Sequence, residues 1–353
     1  MGTSCQIKVG ILTAPHIEYE QRENTFVLKN VRIGIGFHWD RYEDQEFQGT
    51  LEIKPNPDGT ETAINTIDLE DYLCSVISSE MSANSPMELL KAHAVISRSW
   101  AIRAMQKPNH EGFHVCADDH CQRYEGLRRM SERAVEAVRA TAGQVLMYGD
   151  EICDCRYYKC CGGKTEVWRT CWEDIDVPYI RSVECPYCNP KHIKALSAYG
   201  ERSFDFLLST CLNNYDQETT DFHDWKVTYT ADELSEIIRT KSGIDFGQIT
   251  DLIPLQRGAS GRIYQLKIVG TKRTEIIGKE LKIRLWLSKT CLYSSWFDVC
   301  QSEGRSFTLT GHGWGHGAGL CQIGAAQMAA EGHTYEEILQ FYYHGTRLSA
   351  AAQ

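Results

Sequence analysis

Between residues 67 and 105 the apolar positions repeat at helical spacing twice, with one short break. Leu69, Leu73 and Val76 form the first stripe, and four residues further along the same face stands Glu80. Asp68 precedes this helix as its cap, and Glu70 and Asp71 occupy its first turn, where negative charge suits the helix dipole. Asn84-Ser85-Pro86-Met87-Glu88 restarts the chain. Ser85 and Glu88 have capping-box spacing, and Pro86 falls at the first helical position. Met87, Leu90, Ala94, Ser97 and Ala101 then predict a narrow face of small residues that lets neighbours pack closely.

Outside this pair the period changes. Short β-like runs at 7–12, 25–28, 31–35 and 49–53, with turns such as Asn56-Pro57-Asp58-Gly59, predict an antiparallel meander. Further on the pattern predicts a helix over 131–142 and strands over 144–148 and 152–158. Then come a helix near 232–238, a hairpin over 249–256 and 263–269, a strand at 274–277 and a short helix over 278–287. Two helices close the chain, one over 322–331 and one capped by Thr334 and Glu337 that runs to Tyr343. The class is α+β, with mixed helices and antiparallel strands. The expected divisions are a β-rich segment over 1–65, a region of paired helices and a ligand-rich loop over 66–190, a variable insertion over 191–245, and a β/α part over 246–353 that completes the domain begun at 66.

Charge narrows the partners. A net charge of −10 leaves no basic surface for nucleic acid or anionic lipid. No apolar run approaches the roughly 20 residues of a transmembrane helix. The N-terminal residues lack the charged and apolar regions of a signal peptide, so the chain is either intracellular or has had its export signal removed.

Fifteen cysteines, an odd count, cluster in the middle of the sequence. In the loop 109–122, His110, Cys116, His120 and Cys121 make a tetrahedral Cys2His2 zinc set, with His114 in reserve. A polar surface loop with one disulfide is the competing reading. Cys185-Pro186-Tyr187-Cys188 looks like a glutaredoxin tetrapeptide, but Asn189-Pro190 denies the first cysteine the helix N-terminus that such chemistry needs. A second metal site, or structural pairing with the Cys160 region, fits better. In Gly311-His312-Gly313-Trp314-Gly315-His316-Gly317-Ala318-Gly319, so many glycines cost conformational entropy and make sense where backbone lies against a ligand or another segment. They also exclude the helical geometry that His312 and His316 would need to share a metal.

Four separated blocks, DYLCSVISSEM…SPMELLKAHAVISRSWA, HVCADDHCQRYEG, CCGGKTE…W…PYIRSV and GHGWGHGAGLCQIGAAQMAAEGHTYEEILQFYYHGT, resemble the stage II sporulation protein D family in family order. The resemblance implies a protein of the cell envelope acting on peptidoglycan glycan strands. One branch consists of lytic transglycosylases, and another of modifiers that enhance a cell-wall amidase. It places the catalytic acid at Glu80 and a structural zinc, about one per chain, on His110, Cys116, His120 and Cys121. His312, Trp314, His316, Gln322 and Tyr343 are expected to bind substrate, with Tyr158 an alternative to Tyr343 in the groove wall. Two departures stand out: Cys161 and Cys321 occupy positions where the family pattern has serine. A zinc-dependent hydrolase is a third reading, weakened because four protein ligands would close the metal's coordination shell.

Overall fold

The structure is a computed structural model that describes residues 5–35, 40–118, 120–189, 223–302 and 306–351. Its N-terminal strands are β1 (Gln6–Ala14), β2 (Tyr19–Gln21), β3 (Thr25–Ile33), β4 (Arg41–Gln48), β5 (Thr50–Pro55) and β6 (Glu61–Asp68); in place of the single expected meander they form two sheets, with β1 paired to β6 and the runs expected at 25–28 and 31–35 joined in β3. One has the order β2-β3-β4. The other runs β5-β6-β1 and ends on β7 (Val115–Cys116), which pairs parallel to β1 through Val9↔Val115 and Gly10↔Cys116. The candidate metal loop is thereby stitched to the sheet.

Helix α1 (Leu69–Glu80) begins where β6 ends, because the Asp68 carboxylate accepts from the amides of Glu70 and Asp71. Leu69, Tyr72, Leu73, Val76 and Ile77 are buried along it. Helix α2 (Met87–Gln106) packs behind, and Leu90, Ala94, Ser97 and Ala101 are all at most 1% exposed, as the small-residue face requires. The expected Ser85/Glu88 capping box is not formed. Pro86 stays outside the helix at φ −54° and ψ 139°, with no side-chain cap. Glu88 instead accepts from Lys91 Nζ at 2.7 Å and from the Tyr335 amide at 2.8 Å. Tertiary partners took the carboxylate that local spacing reserved for a cap. The two helices are pinned by Arg98, fully buried, whose guanidinium forks onto Glu70 with both distances 2.7 Å.

Next come α3 (Glu132–Ala140), β8 (Gln144–Tyr148), β9 (Glu151–Ile152) and β10 (Tyr157–Tyr158), so the single strand expected over 152–158 is broken in two. A single turn, α4 (Trp168–Cys171), and a 3-10 turn, Pro186–Cys188, lead to residues outside the described set. The next elements are β11 (Asp224–Thr230), α5 (Ala231–Ser242), β12 (Ile249–Arg257), β13 (Ile263–Gly270), β14 (Thr274–Ile277), α6 (Glu280–Trp286), β15 (Phe297–Gln301) and β16 (Ser306–His312). The chain closes with β17 (Leu320–Cys321), α7 (Gln322–Ala330), α8 (Tyr335–Tyr342) and β18 (Arg347–Ala350). The Thr334/Glu337 capping box of α8 is present as expected.

Two hydrophobic cores result among the described residues. One gathers the two N-terminal sheets, α1, α2, α3, α7 and α8. The other is built between Trp225 and Leu309. The boundary expected at 245 falls inside this second core, because Trp225, Leu234 and Ile238 pack with Phe246, Ile249 and Leu266. Of the expected insertion over 191–245, residues 191–222 lie outside the described set. The seam between the cores is polar and ordered. Glu166, fully buried, accepts from the amides of Ala259 and Ser260 and from the Ser260 hydroxyl. Gly162, at φ +77°, lies so close to the Gly313 backbone that an added Cβ would stand 2.7 Å from the Gly313 amide nitrogen. The glycines of the 311–319 loop thus allow one backbone to lie on another.

Candidate functional site

Glu80 ends α1. The chain turns extended at Met81, so the side chain projects past the last helical turn and is half-buried. Two donors converge on its Oε1. The Arg123 amide donates at 3.0 Å and the Tyr157 hydroxyl at 2.9 Å. Burial, and next the Glu80 charge, push the Tyr157 phenol well above its ordinary range, so it stays protonated as a donor. Tyr72, raised likewise by burial, donates to Gln122 Oε1 at 3.1 Å, and Gln122 in turn donates to the Ser97 carbonyl.

His93, fully buried on α2, lies 4.3 Å from the Tyr157 ring, centroid to centroid, in an edge contact. Gln322 Nε2 donates to His93 Nε2 at 3.1 Å, which leaves the Nδ1 proton for the Ser97 hydroxyl at 3.2 Å. Burial pushes this histidine down to about 3, so the ring is neutral and is no candidate acid.

The expected metal donors come together. One ligand atom from each of His110, Cys116, His120 and Cys121 lies within 4.8 Å of all the others. Individual separations are 3.2 Å for His110 Nε2 to Cys121 Sγ, 3.5 Å for His120 Nδ1 to Cys121 Sγ and 3.8 Å for His120 Nδ1 to Cys116 Sγ. A tetrahedral zinc with Zn–N near 2.0 Å and Zn–S near 2.3 Å has edges of about 3.3–3.8 Å, and these separations come within roughly 0.3 Å of that geometry, so the set fits. The bond between the Cys116 and Cys121 sulfurs draws the Cys116 thiol down and pushes the Cys121 thiol up, so the pair shares a proton with the charge on Cys116. His114 stands apart, its Nδ1 accepting from the Lys8 amide at 3.0 Å.

The five residues expected to bind substrate are distributed unequally. His316 and Gln322 lie under Tyr157: His316 Nε2 donates to the Tyr157 carbonyl at 3.0 Å, and Gln322 reaches it through His93. Burial and the nearby Arg156 hold His316 well below the histidine range, so it too is neutral. His312 is at the end of β16, its Nδ1 2.6 Å from Asp224 Oδ1. Trp314 packs edge-on against Tyr293 at 4.6 Å. Tyr343 is fully buried and donates to the Arg156 carbonyl at 2.5 Å, an arrangement that props the β10 segment. Tyr158, the alternative wall residue, is 5% exposed and therefore equally interior. Arg123, Tyr157, Gln122 and His93 were not legible as site residues, since one acts through its backbone and the rest read as core.

Comparison with known proteins agrees with the four sequence blocks. Residues 57–148 match the stage II sporulation protein family, and residues 166–319, which include the second core, match a domain of unknown function. An uncharacterized protein of Brachyspira hyodysenteriae is 30% identical over 335 residues, covering 92% of this chain and 80% of its own length. Stage II sporulation protein D of Bacillus subtilis is 26% identical over 306 residues, covering 82% of this chain and 76% of its own. The amidase enhancer of Bacillus subtilis is 26% identical over 297 residues, which span 79% of this chain and 40% of that protein. No helix among the described residues is long and apolar enough to cross a membrane. With Glu80 and the loop 109–122 both inside the segment that matches the family, and similarity to stage II sporulation protein D running over 82% of the chain, the chain belongs to the stage II sporulation protein D family.

Proposed function

We propose that this protein cleaves the glycan strands of peptidoglycan as a lytic transglycosylase, with Glu80 as its single acid–base group. The observation that carries the reading is the setting of Glu80: a half-buried carboxyl at a helix end, fixed through Oε1 by Arg123 and Tyr157. A positioned carboxyl of this kind suits proton transfer to and from a bound sugar. Protonated, it donates to the glycosidic oxygen as the bond to C1 of the N-acetylmuramoyl unit breaks. It then accepts the proton of that unit's C6 hydroxyl, whose oxygen attacks C1 and closes a 1,6-anhydro ring. Ring closure stands in for the water and second carboxylate of a hydrolase. The two donors on Oε1 support the charge that the carboxylate carries between the two transfers.

His110, Cys116, His120 and Cys121 would hold a structural zinc. Four protein donors leave no open position for a metal-bound water, so the ion's contribution is to fix the loop that ends at Arg123. Similarity to the amidase enhancer favours a second reading, in which the protein binds glycan without cutting it and acts on an amidase. Mass spectrometry of glycan strands after incubation with pure protein tests both. Anhydro ends are expected. Reducing ends would point to hydrolysis, and intact strands to the enhancer reading.

A further inference from the structure

The fold brings a second set of four metal-type ligands together, away from Glu80, in the interior where the three C-terminal segments meet. Cys161 follows β10, Cys185 and Cys188 bracket the 3-10 turn, and Cys321 ends β17 as the cap of α7. All four are fully buried, and their sulfurs lie within 4.8 Å of one another. We propose that Cys161, Cys185, Cys188 and Cys321 form a buried tetrathiolate site for one structural zinc ion.

Three observations support metal over mere packing. First, the spacing is that of a mononuclear centre. Four sulfurs each about 2.3 Å from one ion stand ~3.8 Å apart, whereas an iron–sulfur cluster spreads its thiolates wider to make room for irons and sulfides. Second, the sulfurs receive donors. The Cys161 amide points at Cys321 Sγ at 3.2 Å, the Gly324 amide at Cys321 Sγ at 3.3 Å and the Gly163 amide at Cys161 Sγ at 3.4 Å. The Tyr342 hydroxyl is 3.3 Å from Cys185 Sγ. Such bonds hold ligating thiolates in orientation and spread their charge. Third, a divalent ion with four thiolates carries net negative charge, and the site has compensation built in. The α7 N-terminus abuts Cys321, and buried Arg262 donates to the Cys161 carbonyl at 3.4 Å. Pairing the cysteines as two disulfides would use the same residues, but the Cys161 and Cys188 sulfurs stand 3.1 Å apart, well beyond the ~2.05 Å of a disulfide bond, and all four sulfurs lie within 4.8 Å of one another.

The site would staple β10, the 185–188 turn and α7, and so hold the loop that carries His316 beneath Tyr157. Together with the histidine-containing set it gives about two zinc ions per chain, with an average first shell of about three sulfurs to one nitrogen. The test is metal analysis and zinc X-ray absorption on full-length protein purified without chelator, with alkylation of the denatured, unreduced chain. About two zinc ions, a sulfur-rich average shell and alkylation of all fifteen cysteines are expected. Zinc at one equivalent or less overturns the proposal, as does a shell of equal sulfur and nitrogen, or four cysteines closed to alkylation. Cys185→Ser with Cys188→Ser should lower the zinc content by one equivalent. His110→Ala with Cys121→Ser should retain one equivalent with a sulfur-only shell, and this second variant decides the matter if the first does not fold.

Discussion

The Arg123 amide donates to Glu80 Oε1 at 3.0 Å across 43 residues of sequence. Arg123 follows Cys121 by two positions, so the loop that gathers His110, Cys116, His120 and Cys121 also sets the carboxyl's orientation. The proposed metal set and the proposed acid are thus coupled through backbone. Cys121→Ser should therefore lose the loop's zinc, lower the melting temperature and depress turnover together, since a structural metal contributes folding free energy directly. Melting curves and strand cleavage, measured on the same preparation, check this. An unchanged melting temperature with full metal loading would remove Cys121 from the ligand set.

Glu80→Gln keeps shape and the Arg123 contact but can neither donate nor retrieve the proton. Release of anhydro-muropeptides from denuded glycan strands should fall by at least ~10²-fold, the usual loss on removing a general acid. Folding should be unchanged. Glu88→Gln is the control: its carboxylate serves Lys91 and the Tyr335 amide, so stability should drop by about 1–2 kcal/mol with turnover retained. If Glu80→Gln cleaves as fast as wild type, the catalytic assignment fails, and intact enhancement of an amidase by that variant would favour the second reading.

Tyr157→Phe deletes one of the two donors on Oε1 while preserving the ring that faces His93. A hydrogen bond to a charged group contributes ~1.5–3 kcal/mol, so kcat should fall roughly 10- to 100-fold. KM should hardly move, because the hydroxyl positions the acid and does not hold sugar. A rise in KM at constant kcat would instead make Tyr157 a substrate ligand.

Much of this arrangement is legible in sequence because it rests on local rules. Asp68 caps α1, apolar spacing runs straight to Glu80, and Thr334 with Glu337 caps α8. The convergence of His110, Cys116, His120 and Cys121 is similarly readable, since the four fall within twelve positions of sequence and chain connectivity keeps them close. What escapes is long-range. Glu88 satisfies every requirement of a capping box, yet its partner is the amide of Tyr335, 247 residues away. Arg123 contributes an N–H that any residue but proline could supply. The cysteines at 161, 185, 188 and 321 lie in three blocks whose convergence only the fold discloses. The second core was hidden for another reason: its strands read as ordinary hairpins, and nothing in their pattern says which core they face.

The interior histidine predicts a pH dependence that is separate from catalysis. His93 in the folded chain titrates near 3 because burial penalises its charged form, while an unfolded histidine titrates near 6.5. Below about 6.5 the unfolded chain binds a proton that the folded chain refuses, so protonation favours unfolding. The stabilising contribution is thus fully present above roughly pH 6.5 and is lost progressively as pH falls toward 3, by about 1.4 kcal/mol per unit. His316, lowered for the same cause, adds to the slope. His93→Gln removes one titrating group while keeping an amide able to meet Gln322 and Ser97. Urea unfolding midpoints between roughly pH 5 and 7 should fall steeply with acid in the wild type and by about one proton less in the variant. Equal slopes in both would mean that His93 is already protonated in the folded state, and the neutral ring that supports Tyr157 would have to be abandoned.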